Sequence, residues 1–239
     1  MKKATLVIVA LSLTLLASFS AFAAQPTGYS KLYVTGSLSV KLVQNNKTNN
    51  ASYFLRNNVS FSVRDHALHL SASGQPHSIT LNVSELQSIN AAEHASINSD
   101  GFKSIKPLSV TATGNSSINL NGHLNVKDVT QKGGSKINLS WLKSDTLNIN
   151  AQGNGNINLA GTTNSLHANI NSGTLDGQYL RAKTVFIQTH NTASAKVLAI
   201  DNLRAYAKDQ SNIYYYKHPK SITQEATRHA NILQLKWNK

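Results

Sequence analysis

Residues 147–161 read LNINAQGNGNINLAG, and residues 108–122 nearly repeat them as LSVTATGNSSINLNG. Each stretch contains a short alternation of apolar and polar residues, a Gly/Asn segment, and a second alternation that includes Ile-Asn-Leu. Alternation at period two is typical of half-buried β-strands. Gly and Asn tolerate the positive φ angles of tight corners, so we expect them at Gly153 and Gly155. The pattern predicts two strands joined by a corner, formed twice in the same way.

The same pattern recurs along most of the chain at a nearly constant spacing. The predicted turns start at Leu70, Ile89, Leu108, Leu124, Leu147, Leu166, Val185 and Leu203. The starts are evenly spaced except for a short step before Leu124 and a long step after it, and we place the extra length of the long step within 131–143. The segments lack both a leucine skeleton and the Ala, Leu and Glu of helical repeats. We therefore predict an all-β fold, a single-stranded, right-handed parallel β-solenoid (β-helix) of about eight turns with roughly 19 residues in each.

The segments that flank the repeats are less regular and are expected to cap the solenoid. Residues 31–69 contain earlier alternations and form the predicted N-terminal cap, residues 70–220 the turns, and residues 221–239 the C-terminal cap. A closing strand over 231–237 is favoured, and an amphipathic helix from about 222 to 235 is the alternative. Caps are needed because terminal strands otherwise expose unpaired N–H and C=O groups. Residues 24–239 are thus predicted to be one domain.

The first residues have the features of a secretory signal peptide. Lys2 and Lys3 precede an apolar run over 4–16, and Ala21 and Ala23 are the small residues expected at −3 and −1 of a cut after Ala23. An uncleaved anchor is the alternative, but the run is short for a membrane span. The chain contains no cysteine, which argues against a lipoprotein anchor and against disulfides. We expect residues 1–23 to be removed and the protein to be exported, to the periplasm or the outside of the cell.

The chain is strongly basic. Its formal net charge is +13, and loss of Lys2 and Lys3 would lower it by two, to +11. A positive surplus favours acidic partners such as polyanionic glycans or lipopolysaccharide, and we favour these over nucleic acid. A basic surface that only keeps an exported protein soluble would explain the surplus equally well.

Basic residues recur near the ends of the predicted turns. They are Lys103, Lys106, Lys143, Arg181, Lys183, Lys217 and Lys220. Nearly alternate turns carry them, which would hold like charges about 10 Å apart, close to a Debye length. Tyr214, Tyr215 and Tyr216 follow and could stack on sugar rings. We predict a polyanion- or glycan-binding stripe of these ten residues. The alternative is a solvated edge whose tyrosines cover the end of the solenoid.

No side-chain pattern predicts catalysis. Asp100 and Asp176 share a position in the predicted turn but lie four turns apart, about 19 Å, whereas the paired carboxylates of glycosidases lie about 5 to 10 Å apart. His66 and His69 would face opposite sides of a strand, which argues against a metal site with His77. No Gly-x-Ser-x-Gly elbow or phosphate-binding loop occurs. We therefore predict a protein that is not an enzyme, without catalytic residues, cofactor or metal. A polysaccharide-degrading enzyme is the less favoured alternative.

Three sequence features together resemble a known family. They are YSKLYVTGSLSVKLVQNN at 29–46, the repeated Ile-Asn after Gly-Asn, and Tyr216-Lys217-His218-Pro219. They are similar to the putative auto-transporter adhesin head, GIN domain family, over about residues 29–235. Members of that family finish near a Tyr-x-Gly-x-Pro motif, whereas the stretch here contains no glycine and has His218 before the proline.

The resemblance implies an exported bacterial β-helical protein, and it carries no catalytic residues to this chain. We therefore expect an adhesin-like protein that recognises a polyanionic or glycan ligand through an extended basic face. A structural or assembly module of the cell envelope that binds another protein is the second expectation.

Overall fold

The computed structural model describes residues 28–44 and 59–236, and within these ranges every regular element is a β-strand. The strands are β1 (Lys31–Gln44), β2 (Val59–Arg64), β3 (Ala67–Val83), β4 (Ser88–Ala91), β5 (Ser96–Asp100), β6 (Ser104–Ala112), β7 (Ser117–Lys132), β8 (Lys136–Gln152), β9 (Asn156–Asn171), β10 (Thr174–His190), β11 (Ser194–Ala207), β12 (Asn212–Tyr216), β13 (Ser221–Ala226) and β14 (Asn231–Leu235). The predicted signal peptide, residues 1–23, lies outside the described residues. In the described part of the chain, no helix is long and apolar enough to cross a membrane.

Successive strands pair in parallel, each with the strand about one repeat further along the chain. Val129 opposes Ile149, Ile149 opposes Ala168, and Ala168 opposes Ile187. These residues are between 0% and 3% exposed and point into the interior, while their neighbours in the strand point outward. The predicted all-β parallel β-solenoid of about eight turns is confirmed.

Each turn has three sides, which meet where the pairing register shifts. In the turn that contains β8, the first side is 136–140, the second side is 142–144 and the third side is 146–152. We call the corner at 153–155, which leads to the next turn, corner A. The corner between the first and second sides, at Trp141 in this turn, is corner B. Equivalent residues of other turns take the same names.

Corner A requires glycine for two different reasons. Gly153 has a φ of +102°, as predicted, and a Cβ there would lie 2.9 Å from the backbone of Gly133 in the preceding turn. Gly155 has no positive φ, so that part of the prediction is wrong. A Cβ on Gly155 would instead lie 2.2 Å from the carbonyl oxygen of Ser135 and 2.0 Å from Nε2 of the buried Gln131. Space rather than backbone conformation excludes a side chain at Gly155.

The pairing register corrects one predicted turn start. Leu124 opposes Leu142 on the second side and therefore does not begin a third-side strand. On the third side, Val110 opposes Val129 and Val129 opposes Ile149, so this column advances by nearly equal steps. The predicted short and long steps on either side of Leu124, and the insertion assigned to the long one, are therefore wrong. Leu124 resembles the start of a third-side strand because the second side also buries leucine. An alternation of apolar and polar residues therefore does not show which side of the turn a strand belongs to.

The N-terminal strands are not stacked in chain order. Leu32 in β1 opposes Leu68 in β3 on one side and Ile89 in β4 on the other. The predicted stacking of Ile89 on Leu70 is therefore wrong, because β1 lies between them. β2 pairs with β3 in an antiparallel hairpin and covers the outer edge of β3 over residues 67–72. The parallel stack thus ends in a hairpin, which pairs one edge that a parallel turn would leave open.

The C-terminal end is built differently. β13 pairs with β11, and β14 pairs with β12, both in parallel. β14 occupies 231–235 as a strand, so the alternative helix over this segment is wrong. All six residues of β13 are exposed, and Ile222 and Leu233 present apolar surface at this end. Residues 237–239 lie outside the described residues.

Candidate ligand-binding site

The second side of the solenoid brings basic residues from different turns together. Lys143 in β8 opposes Thr162 in β9, and Thr162 opposes Arg181 in β10. Since neighbouring strands lie about 4.8 Å apart, the backbones of Lys143 and Arg181 are roughly 10 Å apart. This is the separation expected from alternate turns. The predicted turns counted Lys143 from Leu124, whose register is wrong, so the column that the two residues share is a finding of the strand pairing.

These residues line an open groove of about 770 Å³, which we call the basic groove. Its lining residues are Asn125, Lys143, Ser144, Asp145, Thr162, Thr163, Asn164, Arg181, Lys183, Ile200 and Asp201. The groove runs across β7 to β11 on the second side. It combines three cations with hydroxyl and amide groups, which are the donors and acceptors that a polar, anionic ligand needs.

The cations of the basic groove are not committed to ion pairs. None of the four ion pairs in the described ranges includes Lys143, Arg181 or Lys183. The two carboxylates have other partners, because Asp145 accepts a hydrogen bond of 2.6 Å from Asn164 and Asp201 pairs with Lys220 at 2.7 Å. The side chains that line the basic groove therefore carry a net positive charge.

A second cleft adjoins the basic groove and was not expected from the sequence. We call it the aromatic cleft; it measures about 570 Å³ and lies around Trp141, Ala160, Gly161 and Tyr179. Trp141 is 68% exposed and Tyr179 is 63% exposed. Tyr179 opposes Ala160, and Leu142, the residue after Trp141, opposes Gly161. Two large rings thus stand on either side of a strand whose facing residues are small.

Trp141 has an unusual backbone conformation. Its φ is +63°, in the left-handed region, where bulky residues are genuine outliers. Gly122 and Gly161 stand close to this corner in the adjacent turns, with φ of +146° and +138°, and the register pairs Gly161 with Leu142 rather than with Trp141. Such a conformation costs a non-glycine residue on the order of 1–3 kcal/mol. A tryptophan therefore occupies a corner at which glycine would be less strained.

The family comparison identifies this architecture. The sequence matches the family model described as putative auto-transporter adhesin, head GIN domain, over residues 28–219. The chain belongs to this family. The match covers the N-terminal hairpin, both corners and the complete second side, so the basic groove and the aromatic cleft lie inside the GIN domain. The sequence matches no curated protein.

Solved structures of bacterial proteins share the fold of this GIN domain. One from Parabacteroides distasonis, described as a putative lipid binding protein, has a TM-score of 0.77 at 16% identity, over 87% of this chain and 93% of that one. A putative adhesin from Parabacteroides merdae has a TM-score of 0.77 at 20% identity, over 88% and 94%. A putative adhesin from Bacteroides fragilis has a TM-score of 0.64 at 17% identity, over 87% and 93%. At these identities the similarity shows the fold alone.

The other predicted basic residues of the GIN domain lie outside the basic groove. Lys106 pairs with Glu85 at 3.3 Å, and Lys220 sits at the rim against Asp201. The hydrogen bond to Asp201, helped by its negative charge, raises the pKa of Lys220. The backbone N–H of Lys103 donates a hydrogen bond to the side-chain oxygen of Gln44. The side-chain amide of Gln234 donates one to the backbone carbonyl oxygen of Lys217. The structure thus brings three of the seven predicted basic residues together, and the binding role of the stripe stays a prediction.

The three tyrosines of the predicted stripe do not form an exposed surface on which a sugar ring could stack. Tyr215 and Tyr216 are only 7% and 8% exposed, and the Tyr216 hydroxyl donates a hydrogen bond of 3.2 Å to Gln178. Tyr214 is half-buried. The rings of Tyr215 and Tyr216 are therefore largely buried, in a strand that is paired with β11 on one edge and with β14 on the other. An exposed aromatic pair does exist, at Trp141 and Tyr179, two repeat periods apart in the sequence.

The carboxylates of the domain do not form a catalytic pair on the second side. Asp145 and Asp201 are separated by three turns, about 14 Å, which exceeds the separation of glycosidase carboxylates, about 5 to 10 Å. Asp100 opposes Asn121, whereas Asp176 opposes Asn158, so the two do not share a column as predicted. The geometry offers no acid/base pair in the basic groove.

The histidines considered for a metal site lie near the N-terminal hairpin. His66 is in the turn between β2 and β3, with φ of +58°. His69 stacks on Tyr33, with ring centroids 4.7 Å apart and planes within 8° of parallel. Among the residues that the structure describes, no group of three His, Asp or Glu side chains could hold a metal ion.

Proposed function

We propose that this GIN-domain protein is an exported, non-enzymatic binding protein that recognises a polyanionic glycan through the basic groove. The observation that carries the proposal is the convergence of Lys143, Arg181 and Lys183 on one groove without carboxylate partners among the described residues. The family description, which names an adhesin, supports binding rather than catalysis. The signal-like residues 1–23 support export.

Recognition would depend on several weak contacts acting together. A single exposed ion pair stabilises by only about 0–1 kcal/mol, but a polymer with regularly spaced anionic groups meets three cations at once. Thr162, Thr163 and Asn164 add hydroxyl and amide groups that can bond sugar hydroxyls. Because each strand is hydrogen-bonded to its neighbours on both sides, the groove is largely pre-organised, which reduces the entropy lost on binding.

The test compares two variants with the same change in net charge. The groove variant combines Lys143→Glu, Arg181→Glu and Lys183→Glu, and the control combines Lys41→Glu, Lys132→Glu and Lys136→Glu, which are exposed on other parts of the surface. Binding to heparin is measured over increasing ionic strength. We expect the groove variant to bind at least about tenfold more weakly and with a shallower salt dependence, since localised charge contacts are lost. Equal losses in both variants would show that only total charge matters and would contradict the proposal.

A second candidate function, assembly with another envelope protein, is favoured by the C-terminal end. The exposed β13 and the apolar Ile222 and Leu233 form an end that a partner strand could extend. Such a contact should persist at high salt, unlike binding to a polyanion. A partner captured from envelope extract at high salt by the wild type, and lost with Ile222→Asp and Leu233→Asp, would support assembly. Capture only at low salt, and unchanged in this variant, would reject it.

A further inference from the structure

We infer that the aromatic cleft binds the apolar face of a pyranose ring, so that the ligand is an acidic sugar with its ring on Trp141 and Tyr179 and its anionic group in the basic groove. This inference rests on the proposed function and narrows its ligand class. It assigns a role to residues that the charge pattern of the sequence does not single out.

The aromatic cleft leaves two large rings exposed. Trp141 and Tyr179 expose 68% and 63% of their surface, although burial of aromatic surface is strongly favourable. They flank the strand that contains Ala160 and Gly161, whose small size leaves the floor of the cleft open. An open, mainly apolar cleft between two rings matches the shape and chemistry of a sugar ring, whose faces carry C–H groups.

The backbone at Trp141 is strained. Glycine adopts a positive φ without strain, whereas a non-glycine residue does so at a cost in stability. Trp141 holds a φ of +63° and still leaves most of its ring in solvent. Strained conformations of this kind cluster at ligand-binding sites, where the function of the side chain compensates for the stability it costs.

The aromatic cleft is continuous with the basic groove. Lys143 and Thr162 line both. A ligand whose ring rests against Trp141 would therefore have its substituents beside the Lys143 ammonium group and the Thr162 hydroxyl. A uronic acid combines an apolar ring face with a carboxylate on the same sugar, whereas inorganic polyphosphate offers charge without a ring. An acyl chain would fit the rings but would leave the hydroxyl groups of the site unused.

The experiment uses Trp141→Gly with three ligands measured by calorimetry: an oligogalacturonate, inorganic polyphosphate of similar charge, and monomeric decanoate. We expect Trp141→Gly to bind oligogalacturonate about tenfold more weakly, and polyphosphate within twofold of the wild type. Its melting temperature should be unchanged or higher, because glycine relieves the strain at corner B. The control is Ile105→Ala, since Ile105 is 85% exposed and lines neither the groove nor the cleft.

Each result separates the inference from the proposed function. If Trp141→Gly leaves oligogalacturonate affinity unchanged while the groove variant loses it, the sugar subsite is wrong and the basic groove stands. If the groove variant binds both anions as the wild type does, the proposed function fails. Decanoate binding that depends on Trp141, without sugar binding, would make the cleft an acyl site and overturn the inference. A sharp drop in melting temperature would assign Trp141 a structural role and overturn it too.

A direct signal from the cleft completes the test. The chain has two tryptophans, so Trp237→Phe leaves Trp141 as the single indole fluorophore. We expect oligogalacturonate to shift its emission to shorter wavelength as the ring leaves water, and polyphosphate to leave the emission unchanged. The same shift with both ligands would contradict ring stacking.

Discussion

At the scale of single residues, the start of the second side shows how space and backbone conformation both select glycine. Gly161 has a φ of +138°, and a Cβ there would lie 2.2 Å from the carbonyl oxygen of Leu142 in the preceding turn. Gly101 also has a positive φ, +74°, but nothing lies within 4 Å of the position its Cβ would take. A side chain at Gly161 would meet both steric overlap and backbone strain, whereas a side chain at Gly101 would meet backbone strain alone.

We expect Gly161→Ala to lower the free energy of unfolding by roughly 3 kcal/mol or more, because strain and overlap with Leu142 act together. Gly101→Ala, the matched control, should cost about 1 kcal/mol from the backbone alone. Urea denaturation of the two variants measures both values. Equal losses would show that the strand of Leu142 moves aside easily.

Tyr29 couples stability to alkaline pH. Its side chain is 1% exposed, and this burial raises the pKa of the phenol above its ordinary value of 10.0. The folded state therefore keeps the proton at a pH where the unfolded state releases it. The contribution of the neutral phenol is complete below pH 10 and is lost as pH rises toward the folded-state pKa.

We expect Tyr29→Phe to remove this dependence, since phenylalanine has no ionisable group. The difference in the free energy of unfolding between variant and wild type should be constant below pH 9 and move in favour of the variant by about 1 kcal/mol at pH 11. Denaturation at fixed pH values from 7 to 11 provides the measurement. A pH-independent difference would show that the Tyr29 hydroxyl reaches water in the folded state.

At the scale of elements, a strand's position in the stack decides how much its apolar residues contribute. Ile187 in β10 lies between Ala168 of β9 and Ala205 of β11 and is fully buried. Ile222 in β13 opposes Leu203 of β11 and is 41% exposed. These two isoleucines thus lie on the third side of the solenoid, one in an internal strand and the other in a terminal strand.

We expect Ile187→Ala to cost about 3 kcal/mol, because it leaves a cavity between two paired strands. Ile222→Ala should cost less than about 1 kcal/mol, since little surface is buried there. Thermal and urea denaturation of both variants test the contrast. A large effect at Ile222 would show that this end is covered in solution.

At the scale of the whole molecule, the two ends of the solenoid differ. The N-terminal end finishes in the β2–β3 hairpin, in which residues 67–72 of β3 are paired on both edges. At the C-terminal end, β13 pairs only with β11 among the described strands. Stability in a repeat protein is approximately a sum over neighbouring turns, so a terminal turn with one neighbour should open first.

Hydrogen exchange should therefore follow a gradient along the rod. We expect the slowest amide exchange in β8 to β10, fast exchange in β13 and β14, and protection of β3 closer to that of the central strands. Mass spectrometry of peptic fragments can resolve these segments. Uniform protection from β3 to β14 would indicate that the solenoid opens only as a unit.

The sequence by itself determined the strands, the length of the repeat, the parallel stack and the family. These follow from local properties: alternation at period two shows which residues point inward, and Gly and Asn mark the corners. Local pattern and regular repetition were sufficient for these conclusions.

Only the tertiary structure decided the register at Leu124, the position of β1 between β3 and β4, and the burial of Tyr215 and Tyr216. It also decided that Trp141 and Tyr179 flank one cleft. The physical reason is that these features depend on pairing between segments distant in sequence, where one extra residue at a corner shifts every later contact. Alternation within a strand contains no information about which side of the coil, or which end, that strand occupies.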